Sequence, residues 1–517
     1  MREDYKKQLS GQIEKYFSDL EMRIMEDIVR RIRKTGKITS TADWQINRLR
    51  ILGYSSEDIE NMLKEALNKS YPEMFELYDK VIDWEYVRNK DIYEQVNAEF
   101  IPYEENEELQ QITEALMQQS GNDLQNITKS LGFYLDYGTG KPVLTPLAEV
   151  YQKYLDAACL DIVTGAFDYN SVLRRVVTQL TNSGLRQIDY ASGRANRIDV
   201  AARRAVMTGV SQLSGKISEM NAKKLGTDYF EVEWHAGARP THAAWQGKVY
   251  SKEELTTVCG LGSVTGLLGA NCYHIYHAFI PGISERNWSD EWLAEQNRKE
   301  SIPKTFNDKE YTLYEAKQQQ RKMETAMRAQ REKVRLLQAG GADLDDVLIE
   351  KAKYQGQLNE YSRFCRKMGL TEERERIYYD MRGRVAPTPK QYKKYLEKLE
   401  IKKRHDTIKA EIAEKGIKGK ARFDFERINI SEYSFDDAHI NKERQHNVLQ
   451  GDVRQLIREA DIVLERWNGR FINYYGPNGA VYVDTKEKNI RTAFWADEFD
   501  DNTKKLREIM KKHGKKK

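Results

Sequence analysis

Along the first hundred residues, apolar side chains recur at helical spacing. Leu20, Ile24, Ile28 and Ile32 lie four apart, with Arg30, Arg31, Arg33 and Lys34 interleaved. This predicts an amphipathic helix whose basic face is solvated or meets an acidic partner. Gly36 ends that run, and Ser40-Thr41 suits the cap of the next helix. Ser55-Ser56-Glu57-Asp58 opens a further helix through Ile59, Leu63 and Leu67. Pro72 is the only proline here, so a small helical bundle is expected. Residues 100 to about 225 continue mainly helical. The Ala-rich run Ile198–Val206 is helix-prone and extends toward Leu225. Within it Asp199 precedes Arg203 by four residues, the spacing of an ion pair on one helix face.

The period changes at 226. Phe230-Glu231-Val232-Glu233-Trp234 alternates like a strand, and glycines then cluster at 260, 262, 266 and 269. From 308 to about 370 helical periodicity returns around Gly340-Gly341. Met323, Met327, Val334 and Leu337 form one stripe; Val347, Leu358, Tyr361 and Cys365 form one that can face it. An antiparallel helical hairpin, a long charged arm, is the simplest reading. Beyond the arm a helix over Lys390–Lys403 and a Gly-Lys-rich tether over Lys415–Lys420 are expected. A helix over Asp437–Ala460 follows, then strands at Phe471–Tyr475, Ala480–Asp484 and Ile490–Trp495. Gly476-Pro477-Asn478-Gly479 joins the first two strands as a hairpin, and a Lys-rich helix ends the chain.

The expected fold class is α+β, mainly α. It comprises a helical region over 1–225, a small α+β module over 226–300, a helical hairpin arm over 301–380, a basic linker over 381–428 and a C-terminal α+β domain with an antiparallel sheet over 429–517. A length of 517 residues agrees with several units, at ~150 residues per domain.

Charge sharpens this division. The chain carries 84 Lys+Arg against 80 Asp+Glu, a net +4, which excludes a uniformly basic nucleic-acid coat. Residues 381–425 alone hold 14 Lys+Arg against 6 Asp+Glu, a balance of +8, so the remainder sums to −4. That stretch is either a solvated linker or a contact for nucleic-acid phosphate. No apolar run reaches 18 residues, so no membrane span is expected. The N-terminus has no apolar h-region, so no secretory signal is expected, and four scattered cysteines suit a reducing compartment. Gly138-Thr139-Gly140-Lys141-Pro142 lacks the first glycine and the Lys-Ser/Thr ending of a phosphate-binding loop, which excludes an NTPase of that class.

Two constellations carry candidate chemistry. Four of the eight histidines, His235, His242, His274 and His277, fall in one window with Cys259 and Cys272. His242, Cys272, His274 and His277 are candidate metal ligands, and zinc, which takes about four N or S ligands, is the metal such a set suits; no other cofactor is expected. As a strand, the segment puts Cys272 and His274 on one face and His277 on the other. The alternatives are a hydrogen-bonded polar core and a catalytic cluster. In the last 80 or so residues, His439, Arg444, His446, Arg491 and Thr492 supply what metal-independent RNA cleavage needs: imidazoles for proton transfer and cations for the phosphorane. Surface or capping roles are the alternative. Arg491 and Thr492 are strand neighbours, so at most one is expected to face the helix directly.

Several of these runs, in order, carry a family likeness. They are Gly193-Arg194, Asp199–Val206, His235-x-Gly237-Ala238-Arg239-Pro240-x-His242-x-x-Trp245-Gln246-Gly247-Lys248-Val249-Tyr250-Ser251 and Gly266-Leu267-x-Gly269-x-Asn271-Cys272-x-His274. Thr41-Ala42-x-Trp44-Gln45 and Tyr311-Thr312, Glu315-Ala316 and Gln320-Arg321 join them. Over roughly 1–370 the chain resembles the minor capsid proteins of tailed phages and prophages, the Mu F-like head-morphogenesis group. The resemblance implies a virion protein made in the host cytoplasm, held near the portal in few copies, with portal and major capsid proteins and phage DNA as partners. It implies no catalytic residues. Over roughly 430–510 the order of helix, hairpin and Ile490-x-Thr492-Ala493-Phe494 resembles the barnase/EndoU/colicin/RelE-like phage nuclease group. That implies RNA as substrate, with His and Arg at the site. Three outcomes follow: a head protein carrying an RNase module, an RNase effector delivered by a phage-derived scaffold, or a structural virion protein with a degenerate C-terminal domain.

Overall fold

Helix α1 (Glu3–Thr35) is the axis of the first half of the chain. The stripe Leu20, Ile24, Ile28 and Ile32 is fully buried, as expected, but so are Met22, Met25 and Val29 on its flanks. A helix apolar on most sides is a core helix, and its polar groups must then be paired. Arg31 accordingly lies buried against Asp27, whose carboxylate it meets at 2.7 Å; Arg30 pairs with the same Asp27. The basic face expected to be solvated is thus partly internal. The computed structural model describes residues 3–38, 48, 55–87, 90–96, 98–189, 194–269, 271–380 and 382–513. The Ser40-Thr41 cap, the Thr41-Ala42-x-Trp44-Gln45 run and Gly193 lie outside the described residues.

The chain divides into two compact units, Met1–Thr388 and Pro389–Lys517. In the first, α1 packs against α2 (Ser55–Glu85) and α5 (Ile198–Leu225), with α3 (Glu107–Lys129) beside α5 and α4 (Tyr169–Ser183) against α1. The same unit holds a four-stranded antiparallel sheet, β2-β1-β3-β4: β1 Leu131–Leu135, β2 Val143–Pro146, β3 Arg186–Asp189 and β4 Arg194–Arg197. The ion pair expected between Asp199 and Arg203 is replaced by tertiary ones. Asp199 is buried and meets Arg328 and Arg197, whereas Arg203 reaches Glu14 at 2.8 Å. Burial selects partners that arrive from other elements over a partner on the same face.

The module after α5 is small. Strands β5 (Tyr229–Val232), β6 (Val249–Ser251) and β7 (Tyr276–Phe279) form an antiparallel sheet in the order β6-β5-β7. Helix α6 (Pro240–Ala243) and the glycine-rich loop to Asn271 lie between them. A two-stranded ribbon, β8 (Lys304–Phe306) with β9 (Lys309–Tyr311), leads into the helical hairpin α7 (Leu313–Gly340) and α8 (Leu344–Met368). The stripes read from sequence meet, with Met327, Val334, Tyr361 and Cys365 buried. Yet the hairpin is no free arm. Helix α7 packs along α1 and α4, and Gly340 comes so close to Leu173 and Val29 that a Cβ would lie 2.7 Å from the leucine.

The second unit is built on a six-stranded sheet, β10-β12-β13-β14-β15-β11. Its strands are β10 Lys420–Arg422, β11 Ser434–Phe435, β12 Ile462–Arg466, β13 Phe471–Tyr475, β14 Gly479–Asp484 and β15 Asn489–Trp495. All pairings are antiparallel except that of β11 with β15. One face buries Ile462, Leu464, Tyr475, Ala480 and Phe494 against Ile408 and Ile412 of α9 (Pro389–Glu414) and Leu506 and Ile509 of α11 (Asp501–Lys512). The other buries Val463, Tyr474, Val481 and Val483 against Val453, Leu456 and Ile457 of α10 (Gln450–Glu459). The segment expected as a linker over 381–428 therefore supplies a packed helix and an edge strand. The helix expected over Asp437–Ala460 is broken. A π-helical turn, Ala438–Glu443, gives way to an irregular passage in which Gln445 and Asn447 take positive φ (59° and 51°), and α10 starts only at Gln450.

Candidate functional site

In the first unit His242, Cys272 and His274 come together. His242 comes from α6, which Pro240 starts at a position where a missing N–H is harmless. Cys272 and His274 lie on the chain entering β7. All three are buried, and their ligating atoms lie within 4.8 Å of one another. His242 Nδ1 is 3.3 Å from His274 Nδ1; Cys272 Sγ is 3.8 Å from the first and 3.5 Å from the second. The far side of each ring is fixed. His242 Nε2 lies 2.8 Å from the carbonyl oxygen of Thr265, which only accepts, so Nε2 carries the proton. His274 Nε2 lies 2.9 Å from Gln246 Oε1, and that atom also accepts from the His235 N–H at 3.1 Å, which identifies it as the amide oxygen. Burial, with Arg239 adding to it, lowers the His242 pKa against the Thr265 hydrogen bond, so this ring is neutral at pH 7. Trp245 packs on both rings, with centroids 4.5 and 4.8 Å away.

His277 is not part of this cluster. It lies on β7 with Nε2 3.0 Å from Glu233 and Nδ1 3.5 Å from Glu85. Cys259 is buried nearby, and burial first, then Glu254 and Cys272, pushes its thiol up to about 12. Gln246, which orients His274, stands in the Trp245-Gln246-Gly247 run, but nothing in the local pattern marks it for that role.

In the second unit the structure separates the expected residues into two groups. His439 and Arg444 lie on the exposed π-helical turn and its cap. His439 Nδ1 meets Glu443 Oε2 at 2.7 Å within the same turn. His446 lies in the irregular passage, with Nδ1 2.6 Å from Glu498 Oε2 and its ring against Phe494. No contact joins His439 to His446 among the described residues.

Arg491 and Thr492 share one face, contrary to the alternation expected of strand neighbours. A β-bulge accounts for it. Val483 pairs with Ile490 but Tyr482 pairs with Thr492, so Arg491 is the extra residue. Ile490 then faces the α10 core, whereas Thr492, Phe494 and Tyr482 face the α9/α11 side. The Arg491 guanidinium lies 4.7 Å from the centroid of Phe471, which shares that side with Asn473 and Tyr475. Tyr475 donates its hydroxyl to Tyr482 Oη at 3.0 Å, and Asn473 Nδ2 donates to Tyr475 Oη at 3.4 Å. Thr492 Oγ1 is buried with no hydrogen-bond partner among the described residues. Glu498, Tyr475 and Asn473 carry no sequence mark as site residues; a carboxylate 52 residues from its histidine leaves no local trace.

Comparison with known families decides the first unit. A model of the family phage minor capsid protein 2 matches residues 1–362. The chain belongs to that family. No curated protein and no solved structure matches it. It is therefore a structural head protein of a phage, a virion component, and the His242–Cys272–His274 cluster lies inside the family region. The sheet with His446 lies outside it. Among the described residues, no helix of this minor capsid protein is long and apolar enough to cross a membrane.

Proposed function

We propose that this head protein carries, in residues 389–517, a metal-independent ribonuclease module centred on His446. The observation that supports the reading is the His446–Glu498 pair, with the His446 ring against Phe494, two residues along β15 from Thr492. A carboxylate at 2.6 Å from Nδ1 fixes the tautomer and leaves Nε2 as the proton-transfer atom. In the reaction proposed, Nε2 takes the proton of an RNA 2′-hydroxyl as the 2′-oxygen bonds phosphorus. The P–O5′ bond breaks, and the same proton passes to the 5′-oxygen, giving a 2′,3′-cyclic phosphate and a 5′-hydroxyl. Arg491 offers the cation for the phosphorane charge, and the Thr492 hydroxyl a hydrogen bond to the sugar or phosphate.

The test uses the full chain, incubated with RNA in EDTA. Wild type is expected to cleave and to leave cyclic-phosphate ends, and His446→Ala to abolish cleavage while the protein stays folded. Intact RNA with wild type, or wild-type cleavage by His446→Ala, would overturn the reading.

The same proposal assigns the head protein to the neighbourhood of the portal, with portal and major capsid proteins as partners and phage DNA against the exposed lysines of α9. Retention of portal protein on the immobilised chain, and DNA binding that falls steeply with salt, are the expected results. Absence of both would remove these partners.

A further inference from the structure

The family region holds a second piece of chemistry that a structural head role does not call for. Two buried imidazoles aim Nδ1 at each other at 3.3 Å, and each has Nε2 committed as a donor, to Thr265 O and to Gln246 Oε1. A ring that donates from Nε2 has its lone pair at Nδ1, so both Nδ1 atoms are placed as ligand atoms facing one point. Cys272 Sγ closes the triangle at 3.5 and 3.8 Å.

The size of that triangle fits a bound ion. A tetrahedral ion with metal–nitrogen bonds of ~2.05 Å and metal–sulfur bonds of ~2.3 Å has ligand-to-ligand edges of about 3.35 Å for N···N and about 3.6 Å for N···S. The three observed separations fall within about 0.25 Å of those edges. The surroundings are also those of a ligand set. Metal-bound histidines donate their other N–H to a carbonyl or carboxylate, and both rings here do so. Gln246 is buried with its Nε2 unpartnered among the described residues, while its Oε1 accepts from His274 and from the His235 N–H. Its carbonyl does the orienting at the expense of its amino group.

We propose that His242 Nδ1, His274 Nδ1 and Cys272 Sγ bind one zinc-class divalent ion, a soft-to-borderline centre suited to two imidazole nitrogens and one thiolate sulfur. His277, a candidate from sequence, is excluded because it is taken up by Glu233 and Glu85. The ion would tie α6 to the chain after the glycine-rich loop, stapling a small module built on a three-stranded sheet. A narrow cleft lined by Arg203, Asn271 and Cys272 lies beside the cysteine.

Purified full chain, loaded with zinc alone and desalted, is expected to retain about one ion per chain, and less than about 0.2 would overturn the proposal. Cobalt(II) loading adds a readout that mere misfolding does not mimic. The wild-type chain should show an intense tetrahedral visible spectrum and a near-ultraviolet thiolate-to-cobalt band. Cys272→Ser should lose the thiolate band, whereas Cys259→Ser and His277→Ala should keep it. Retention of the band in Cys272→Ser, or its loss in Cys259→Ser while circular dichroism is unchanged, would overturn the ligand assignment.

Discussion

Arg331 and Asp380 form a two-point ion pair inside the first unit: Nη2 meets Oδ1 at 2.8 Å and Nε meets Oδ2 at 3.2 Å. Arg331 is wholly buried on α7, its guanidinium between the rings of Tyr354 and Tyr378, and Nη2 also donates to Gly383 O. The pair pins the segment after the hairpin to α7. Asp380→Asn would leave a buried cation without its counter-charge and should cost about 3–5 kcal/mol. Urea unfolding followed by circular dichroism measures this. A loss below about 1 kcal/mol would show that the pair is solvated or dispensable.

A second expectation concerns pH. Glu332 is buried beside Glu21, Asp199, Arg197 and Arg328; burial, then Glu21, pushes it up to about 8 against the pull of the two arginines. Protonation leaves two carboxylates against two guanidiniums, a balanced internal cluster. Glu324 is pushed by burial to about 7, against Arg376 and the hydrogen bond from Tyr361. Both carboxyls hold their protons more tightly folded than unfolded. Between 4.5 and these values the unfolded chain has released protons that the folded chain keeps, so stability falls as pH rises. The slope is up to about 1.4 kcal/mol per pH unit for each group, ending near its folded value. Denaturant midpoints should therefore fall from pH 5 to 8, less steeply in Glu332→Gln. Midpoints that are flat or rise across this range in wild type would refute the assignment.

Close helix contact gives a third. Gly209 on α5 faces Tyr78 and Ser120, whose hydroxyls are 2.9 Å apart; an added Cβ would lie 2.0 Å from the tyrosine oxygen. Gly209→Ala gains about 1 kcal/mol of helix propensity but overpacks the crossing, for a net loss of about 1–3 kcal/mol. Gly356 on α8 is exposed, with nothing near its would-be Cβ. Gly356→Ala should stabilise by about 0.5–1 kcal/mol. Thermal melts compare the two; the same sign for both would contradict the packing described.

What could be read from the sequence follows the range of the signal. The hairpin at Gly340-Gly341 and the strands around Gly476–Gly479 were legible because periodicity and turn residues are local. The helix expected over Asp437–Ala460 is broken where Asn441–Asn447 offers no apolar residue to bury and the backbone turns left-handed at Gln445 and Asn447. Edge strand β10 was hidden because Lys420-Ala421-Arg422 carries little apolar pattern, although Ala421 packs into the core. The proximity of Cys272 to His274 was local and visible. His242, 30 residues before Cys272, joins them only through the fold, as does Gln246. Asp199 chose Arg328 over Arg203 because burial outweighs helix spacing.

The bulge at Arg491 supplies the last prediction. Alternation would have put Arg491 on the α10 side, away from Thr492; the extra residue turns it onto Phe471 and so onto the face that holds Tyr482 and Thr492. Arg444, the other arginine that sequence suggests for phosphate, is exposed at the cap of the π-helical turn. If the ribonuclease reading holds, the two should separate in kinetics. Arg491→Ala removes a cation aimed at developing charge and should lower kcat by about 10²–10³-fold with little change in KM. Arg491→Lys keeps the charge but not the planar donor array, and should recover only part of the loss. Arg444→Ala should stay within about twofold of wild type, as expected for an exposed charge. Single-turnover cleavage of a short RNA by the full chain and each variant measures all three. Equal losses for Arg491→Ala and Arg444→Ala would mean that the bulge does not select the catalytic cation.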